Sequence, residues 1–144
     1  HYTSVESYPL SMDMVEKLNY SDKYSLQEQD SYNELHLAEW EIEVQISPNF
    51  QLKKLNADFT CFDWTKLNKV DLIYFDAFAP DKQPDLWTQE LFDNLYRDSN
   101  DDAILVTYCA KGMVRRMMKQ AGFTVERLPG PPGKREMLRA SKDK

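Results

Sequence analysis

The apolar positions of this chain change period along its length, and each change marks an element. Residues 2–6 are a short β-branched run ending in an acid, Glu6. Pro9 suits a first helical turn, where its missing N–H is not needed. Leu10, Met14 and Leu18 then recur at i, i+4 and i+8 as the apolar stripe of a helix. Residues 20–40 are polar and weakly periodic, with Leu26, Leu35, Leu37 and Trp40 suggesting a helical patch. Residues 41–46 alternate strictly, which predicts a strand with one face buried and one wet. Ser47, Pro48 and Asn49 read as a turn, and residues 50–55 return as a second strand.

The second half is more strongly patterned. The apolar run at 70–75, broken only by Asp71, predicts a fully buried strand, and 103–108 another. Between them, 88–98 form a helix with Leu91, Phe92 and Leu95 inward. Residues 111–121 form a helix with Val114, Met117, Met118 and Ala121 inward and Arg115, Arg116 and Lys119 outward. Gly122 follows where a left-handed residue closes a helix. Strands are expected at 123–127 and 135–140, and so short a connection between them makes the pair antiparallel.

Strands alternating with helices predict an α/β fold with a doubly wound sheet, closed by an antiparallel C-terminal hairpin. We expect residues 1–144 to form a single domain. A nucleotide-binding unit of this kind opens with a strand and a glycine-rich turn that lets the backbone approach the ligand. The four glycines, Gly112, Gly122, Gly130 and Gly133, form no such turn, and none precedes Glu6. The expectation is therefore a C-terminal portion that begins at the second strand of its fold. The absent strand would be central, so its two neighbours would present open edges and invite self-association.

Composition narrows the class only modestly. Hydrophobic content of 42% with 29% charged residues excludes a disordered chain. No apolar run approaches the length of a membrane span, and a cytoplasmic location is expected. Cys61 and Cys109 form no CxxC and are expected as buried core thiols. His1 and His36 have no ligand spacing with either, so no metal is expected. Charge is uneven: residues 1–110 carry −13 and residues 111–144 carry +7, which together give −6. The basic end offers a local phosphate-binding face on an acidic body.

The segment from Val70 to Trp87 holds the clearest chemistry. Ligands of open α/β sheets bind beyond the carboxyl ends of the strands, and Asp76 stands at such an end. The loop after it carries Phe78, Pro80, Lys82, Pro84 and Trp87.

These residues carry a resemblance. The runs Tyr2-Thr-Ser-Val-Glu6-Ser-Tyr-Pro-Leu10 and Asp76-Ala-Phe-Ala-Pro80-Asp-Lys-Gln-Pro84-Asp-Leu-Trp87-Thr-Gln-Glu-Leu-Phe92 are two of the matching segments. Thr107-Tyr108, Gly112-Met-Val-Arg115-Arg116, Ala121-Gly-Phe123 and Lys134-Arg-Glu-Met-Leu138 follow in the same order. Together they resemble the methyltransferase domain of the tRNA 5-methylaminomethyl-2-thiouridine biosynthesis family. The resemblance implies a Rossmann-like class I fold and S-adenosylmethionine as methyl donor. Its acceptor would be the aminomethyl nitrogen of the tRNA wobble uridine. Since the chain ends shortly after Ala140, it also implies the stand-alone form without a fused oxidase.

Residue roles follow from the resemblance. Glu6 would accept from the cofactor's ribose hydroxyls, and Asp58 from its adenine amino group, with Phe59 against the ring. Asp76 would orient the acceptor amine and take up its proton. Phe78, Pro80 and Trp87 would wall the acceptor pocket. Lys82, Arg115, Arg116, Lys134 and Arg135 would meet the tRNA backbone, together with Lys119 and Arg139 of the basic end. The competing readings are methyl transfer to a small-molecule amine, a non-catalytic tRNA-binding module, and a nicotinamide dehydrogenase. The last leaves residues 76–80 and the terminal hairpin unexplained.

Overall fold

The computed structural model describes the backbone of residues 1–144 and every side chain except those of Ser21 and Asp22. The chain divides into two compact units, His1–Phe62 and Asp63–Lys144.

Unit 1 is built on a three-stranded sheet. Its elements are β1 (Tyr2–Glu6), α1 (Met12–Lys17), α2 (Leu26–Leu37), β2 (Glu43–Ser47) and β3 (Phe50–Asn56). The sheet order is β1-β3-β2, with β1 parallel and β2 antiparallel to β3. The alternation expected over 41–46 holds from Glu43 onward, with Val44 and Ile46 half-buried between exposed polar neighbours, whereas Ile42 lies before the strand and is exposed. The stripe expected of the first helix does not. α1 begins only at Met12, buries Val15 alone, and leaves Leu10 and Met14 exposed. A six-residue helix turns less than twice, too short to lay three spaced residues on one surface.

α2 buries none of its residues and is defined at its start by a capping box. The Ser25 hydroxyl accepts from the Glu28 N–H, and the Glu28 carboxylate accepts in return from the Ser25 N–H at 2.9 Å. Its other end is held by Lys54 of β3. The ammonium donates to the carbonyls of Leu35 (3.1 Å) and His36 (2.8 Å), and lies 4.8 Å from the Trp40 ring centre. A cation there complements the negative end of the helix.

Unit 2 contains β4 (Val70–Tyr74), α3 (Gln89–Arg97), β5 (Ser99–Thr107), α4 (Gly112–Ala121), β6 (Thr124–Pro129) and β7 (Glu136–Ser141). Its sheet order is β4-β5-β7-β6. β4 runs parallel to β5, and the β6–β7 hairpin is antiparallel, as its short loop requires. The core joins Leu91, Phe92 and Leu95 of α3 to Val114 and Met118 of α4 and to Leu105, Leu138 and Ala140 of the sheet. Gly122 ends α4 at φ +117°, a conformation that disfavours any side chain. The Tyr96 ring fills the space beside it and meets Phe123 edge-on at 4.9 Å.

β4 departs from its expected burial. Leu72 and Tyr74 are 47% and 62% exposed, although Phe75 beyond them is buried. Along a strand, alternate residues face opposite sides, and only the side carrying Phe75 is covered. β1 hydrogen-bonds to β3 alone and β4 to β5 alone, so each is the edge of its sheet. The thiol expectation also needs correction: Cys109 is half-buried and Cys61 exposed. Cys61 lies in a short 3-10 turn after β3, where the chain runs over the surface.

Candidate active site

Asp76 lies just past the carboxyl end of β4. The Phe75 N–H still donates to the Val106 carbonyl of β5 at 2.9 Å, which holds the backbone in register up to the acid. Beyond it the side chain is exposed, free to meet a ligand. The following loop is fixed from within. The N–H groups of Lys82 and Gln83 both donate to the Ala79 carbonyl, and Pro84–Leu86 form a 3-10 turn.

Trp87 is the anchor of this loop. Its indole N–H donates to the Phe78 carbonyl at 2.8 Å, and its ring packs edge-on against Phe75 at 5.1 Å and beside Phe92. With only 4% of its surface accessible, it offers no face to a base, so its expected place in the pocket wall is corrected. Pro80 is likewise buried in the loop. Phe78, by contrast, is 76% exposed.

Asp76 borders a cavity of about 240 Å3. Ala77 and Ala79 line it from the loop, Tyr108 and Lys111 from the link between β5 and α4, and Lys134 from the hairpin loop. Of the expected site residues, the structure brings Asp76 and Lys134 together here. Tyr108 and Lys111 were not singled out from the sequence as site residues. The signal was available, because Tyr108 directly follows the apolar run of a strand parallel to β4 and so shares its ligand-facing end. Lys111 forms an ion pair with Asp81 at 2.5 Å, tying the loop to the start of α4. Lys82, Arg116 and Arg135 are exposed and Arg115 is half-buried, all outside this cavity. Arg139 is paired across the hairpin with Glu126.

In unit 1 the expected cofactor ligands share one strand end. Glu6 pairs in register with Asn56, and the Ala57 N–H donates to the Glu6 carbonyl. Glu6 and Asp58 therefore stand at the carboxyl ends of adjacent parallel strands, both exposed. Glu6 Oε1 accepts the Tyr8 N–H at 2.8 Å. Asp58 Oδ1 accepts both the N–H and the hydroxyl of Thr60, at 2.8 and 2.7 Å. The Thr60 hydroxyl and then its N–H hold the Asp58 carboxyl below its ordinary pKa. Phe59 is half-buried, its ring 5.1 Å from Phe62. A second cavity, about 590 Å3, is an open groove along β2 that none of these residues lines. Among the described residues no cluster of His, Cys, Asp or Glu is placed to hold a metal ion, and no helix is long and apolar enough to cross a membrane.

Comparison with known proteins connects these features. The chain is 30% identical over 142 residues to the tRNA 5-methylaminomethyl-2-thiouridine biosynthesis bifunctional protein MnmC of Campylobacter hominis. That match covers 97% of this chain, which spans 21% of the relative's length. The crystal structure of MnmC2 from Aquifex aeolicus is 26% identical with a TM-score of 0.58, covering 70% of this chain and 33% of that one. The N-methyltransferase NodS from Bradyrhizobium japonicum is similar in fold, with a TM-score of 0.52 at 11% identity. That alignment covers 99% of this chain and 73% of NodS. The fold is thus the Rossmann-like α/β fold of these enzymes. The model of the S-adenosyl-L-methionine-dependent methyltransferase family matches residues 23–143, and the chain belongs to that family.

Proposed function

We propose that this chain methylates the 5-aminomethyl nitrogen of the wobble uridine of tRNA, in the cytoplasm. The observation that carries the reading is the exposed Asp76 carboxylate at the end of β4, bordering a cavity walled by alanines and an aromatic ring. Similarity to MnmC supplies the substrate class.

The residues present fit the family's cofactor. A ribose diol and an adenine amino group need acceptors, and Glu6 and Asp58 provide exposed carboxylates at neighbouring strand ends. Each has one oxygen already held by backbone N–H groups, which fixes its direction while the other oxygen remains for a ligand. When bound, S-adenosyl-L-methionine would supply an electrophilic methyl group, its sulfonium becoming a neutral thioether.

The remaining chemistry belongs to Asp76. A new N–C bond forms only from an amine lone pair, and an alkylamine at neutral pH is mostly protonated. The carboxylate accepts from the amine N–H bonds, aligns the nitrogen, and takes the proton that the nitrogen releases. The loop fastened by Trp87 and by the Lys111–Asp81 pair holds that geometry before substrate arrives. Arg115, Arg116, Lys82 and Arg135 are assigned to phosphates, which position a nucleic acid without reading its sequence.

The test measures methyl incorporation into tRNA lacking the modification and into free alkylamines. Transfer to tRNA alone is the expected result. Transfer only to small amines would establish the small-molecule reading. Cofactor binding without transfer to either would leave a non-catalytic module.

A further inference from the structure

The cavity beside Asp76 has one wall that the proposed chemistry does not use. Tyr108 follows β5 and keeps 45% of its surface exposed, although the residue before it is buried. Its backbone is held by a tight turn in which the Cys109 N–H donates to the Thr107 hydroxyl at 3.2 Å. Its ring is held by Lys134, whose ammonium lies 5.4 Å from the ring centre, within cation–π range. Ala77, Ala79 and Ala110 line the same cavity. Small side chains, an aromatic ring and the Asp76 carboxylate thus border one cavity. At about 240 Å3 it lies below the roughly 300–1,000 Å3 of drug-sized ligand pockets. A cavity of that size suits a single ring-sized group.

We propose that Tyr108 is the stacking surface for the acceptor's pyrimidine ring, and that Lys134 is a positioning residue acting through the Tyr108 ring. This rests on the reading of the acceptor as an aminomethylated base. It changes the role of Lys134, whose ammonium is turned onto an aromatic face at the cavity. Stacking sets the base plane, the plane sets where the aminomethyl arm projects, and the arm reaches Asp76. An aliphatic amine gains nothing from the ring, so Tyr108 discriminates between substrate classes.

The experiment compares the intact protein with Tyr108→Ala, Tyr108→Phe and Lys134→Met. Methyl-transfer kinetics on tRNA are combined with NMR titrations of 5-aminomethyluridine and of propylamine. Tyr108→Ala is expected to raise KM for tRNA about 5- to 150-fold, the range for losing one base–aromatic stack, and to lower kcat as the aminomethyl arm loses its alignment on Asp76. Nucleoside binding weakens in parallel while propylamine binding does not move. Tyr108→Phe keeps the ring and restores both. Lys134→Met raises KM less, leaves the salt dependence of tRNA binding unchanged, and has no further effect beside Tyr108→Ala. An unchanged KM in Tyr108→Ala, or equal impairment in Tyr108→Phe, would overturn the stacking role. A salt slope shallower by about one in Lys134→Met would make that residue a phosphate contact and overturn its positioning role. If tRNA receives no methyl group but nucleoside binding still depends on the Tyr108 ring, the tRNA reaction fails and the stacking surface stands. If nucleoside does not bind the unsubstituted protein, the stacking surface fails.

Discussion

Replacing Trp87 separates two roles that an aromatic residue in this loop can play. The ring is almost completely buried against Phe75 and Phe92, and its N–H holds the Phe78 carbonyl. Trp87→Ala removes a buried aromatic, a change worth about 3–5 kcal/mol. Trp87→Phe keeps most of the packing but removes the donor, losing a hydrogen bond of about 0.5–1.5 kcal/mol and leaving some unfilled volume, for a total of roughly 1–3 kcal/mol. At about 4 °C per kcal/mol for a domain of this size, Tm falls by roughly 12–20 °C and 4–12 °C respectively. Because the lost bond anchors the Asp76 loop, Trp87→Phe also lowers kcat for methyl transfer below the denaturation range. Calorimetry and single-turnover methylation on the same samples make the comparison. A Trp87→Phe protein with unaltered Tm and a raised KM for tRNA would refute the argument, because it would mean that the indole meets the substrate rather than the core.

Three further outcomes follow from individual side chains. Asp76→Asn is expected to lower kcat about 10²- to 10⁴-fold without changing Tm, since the carboxylate is exposed; steady-state kinetics and a melting curve check both halves. Thr60→Val removes the leading cause of the low Asp58 pKa, so carboxyl NMR should show that pKa rising toward the ordinary 3.8. The unfolded chain takes up this proton before the folded one does. The stability from the Asp58–Thr60 contact is therefore present above the unfolded pKa and is lost as pH falls through the folded value, and Thr60→Val, which keeps only the backbone N–H, weakens that dependence. Gly122→Ala forces a side chain into φ +117° and places its Cβ 2.8 Å from the Tyr96 ring. Left-handed strain of about 1–2 kcal/mol and overpacking of about 1–3 kcal/mol should lower the urea midpoint by the equivalent of roughly 2–5 kcal/mol.

The sequence was most legible where local pattern and tertiary cover agree. The helix expected at 88–98 exists as Gln89–Arg97 with all three named residues buried, and Gly122 closes the next helix as its position implied. Where a pattern depends on what lies against it, reading failed. Val70–Tyr74 is apolar enough for a buried strand, but burial also requires a neighbour on both faces, which no periodicity records. Trp87 reads equally well as core or as pocket wall until its indole partner is known. α2 was obscure for the opposite reason: it has no buried face to produce a pattern. Its start is written in Ser25 and Glu28, a two-residue signal that hydrophobic spacing overlooks. For the site, Asp76 was marked by the end of an apolar run, and Tyr108 stands in the equivalent position on the next strand. It was passed over because no acid or proline follows to draw attention to it.

The fastening of α2 gives unit 1 a hierarchy of local stabilities. A twelve-residue helix is near the length at which isolated helices are marginal in water, and this one adds no buried side chain to a shared core. Lys54 satisfies two carbonyls at its end while remaining a residue of β3, so the helix can detach without any strand pair being broken. Detachment and sheet opening are consequently distinct events. The first releases the Lys54 ammonium from the Leu35 and His36 carbonyls, whereas the second must expose Leu52 and Leu55, both buried in the sheet. α2 behaves as a separate cooperative unit of low opening free energy, placed beside strands that open only together.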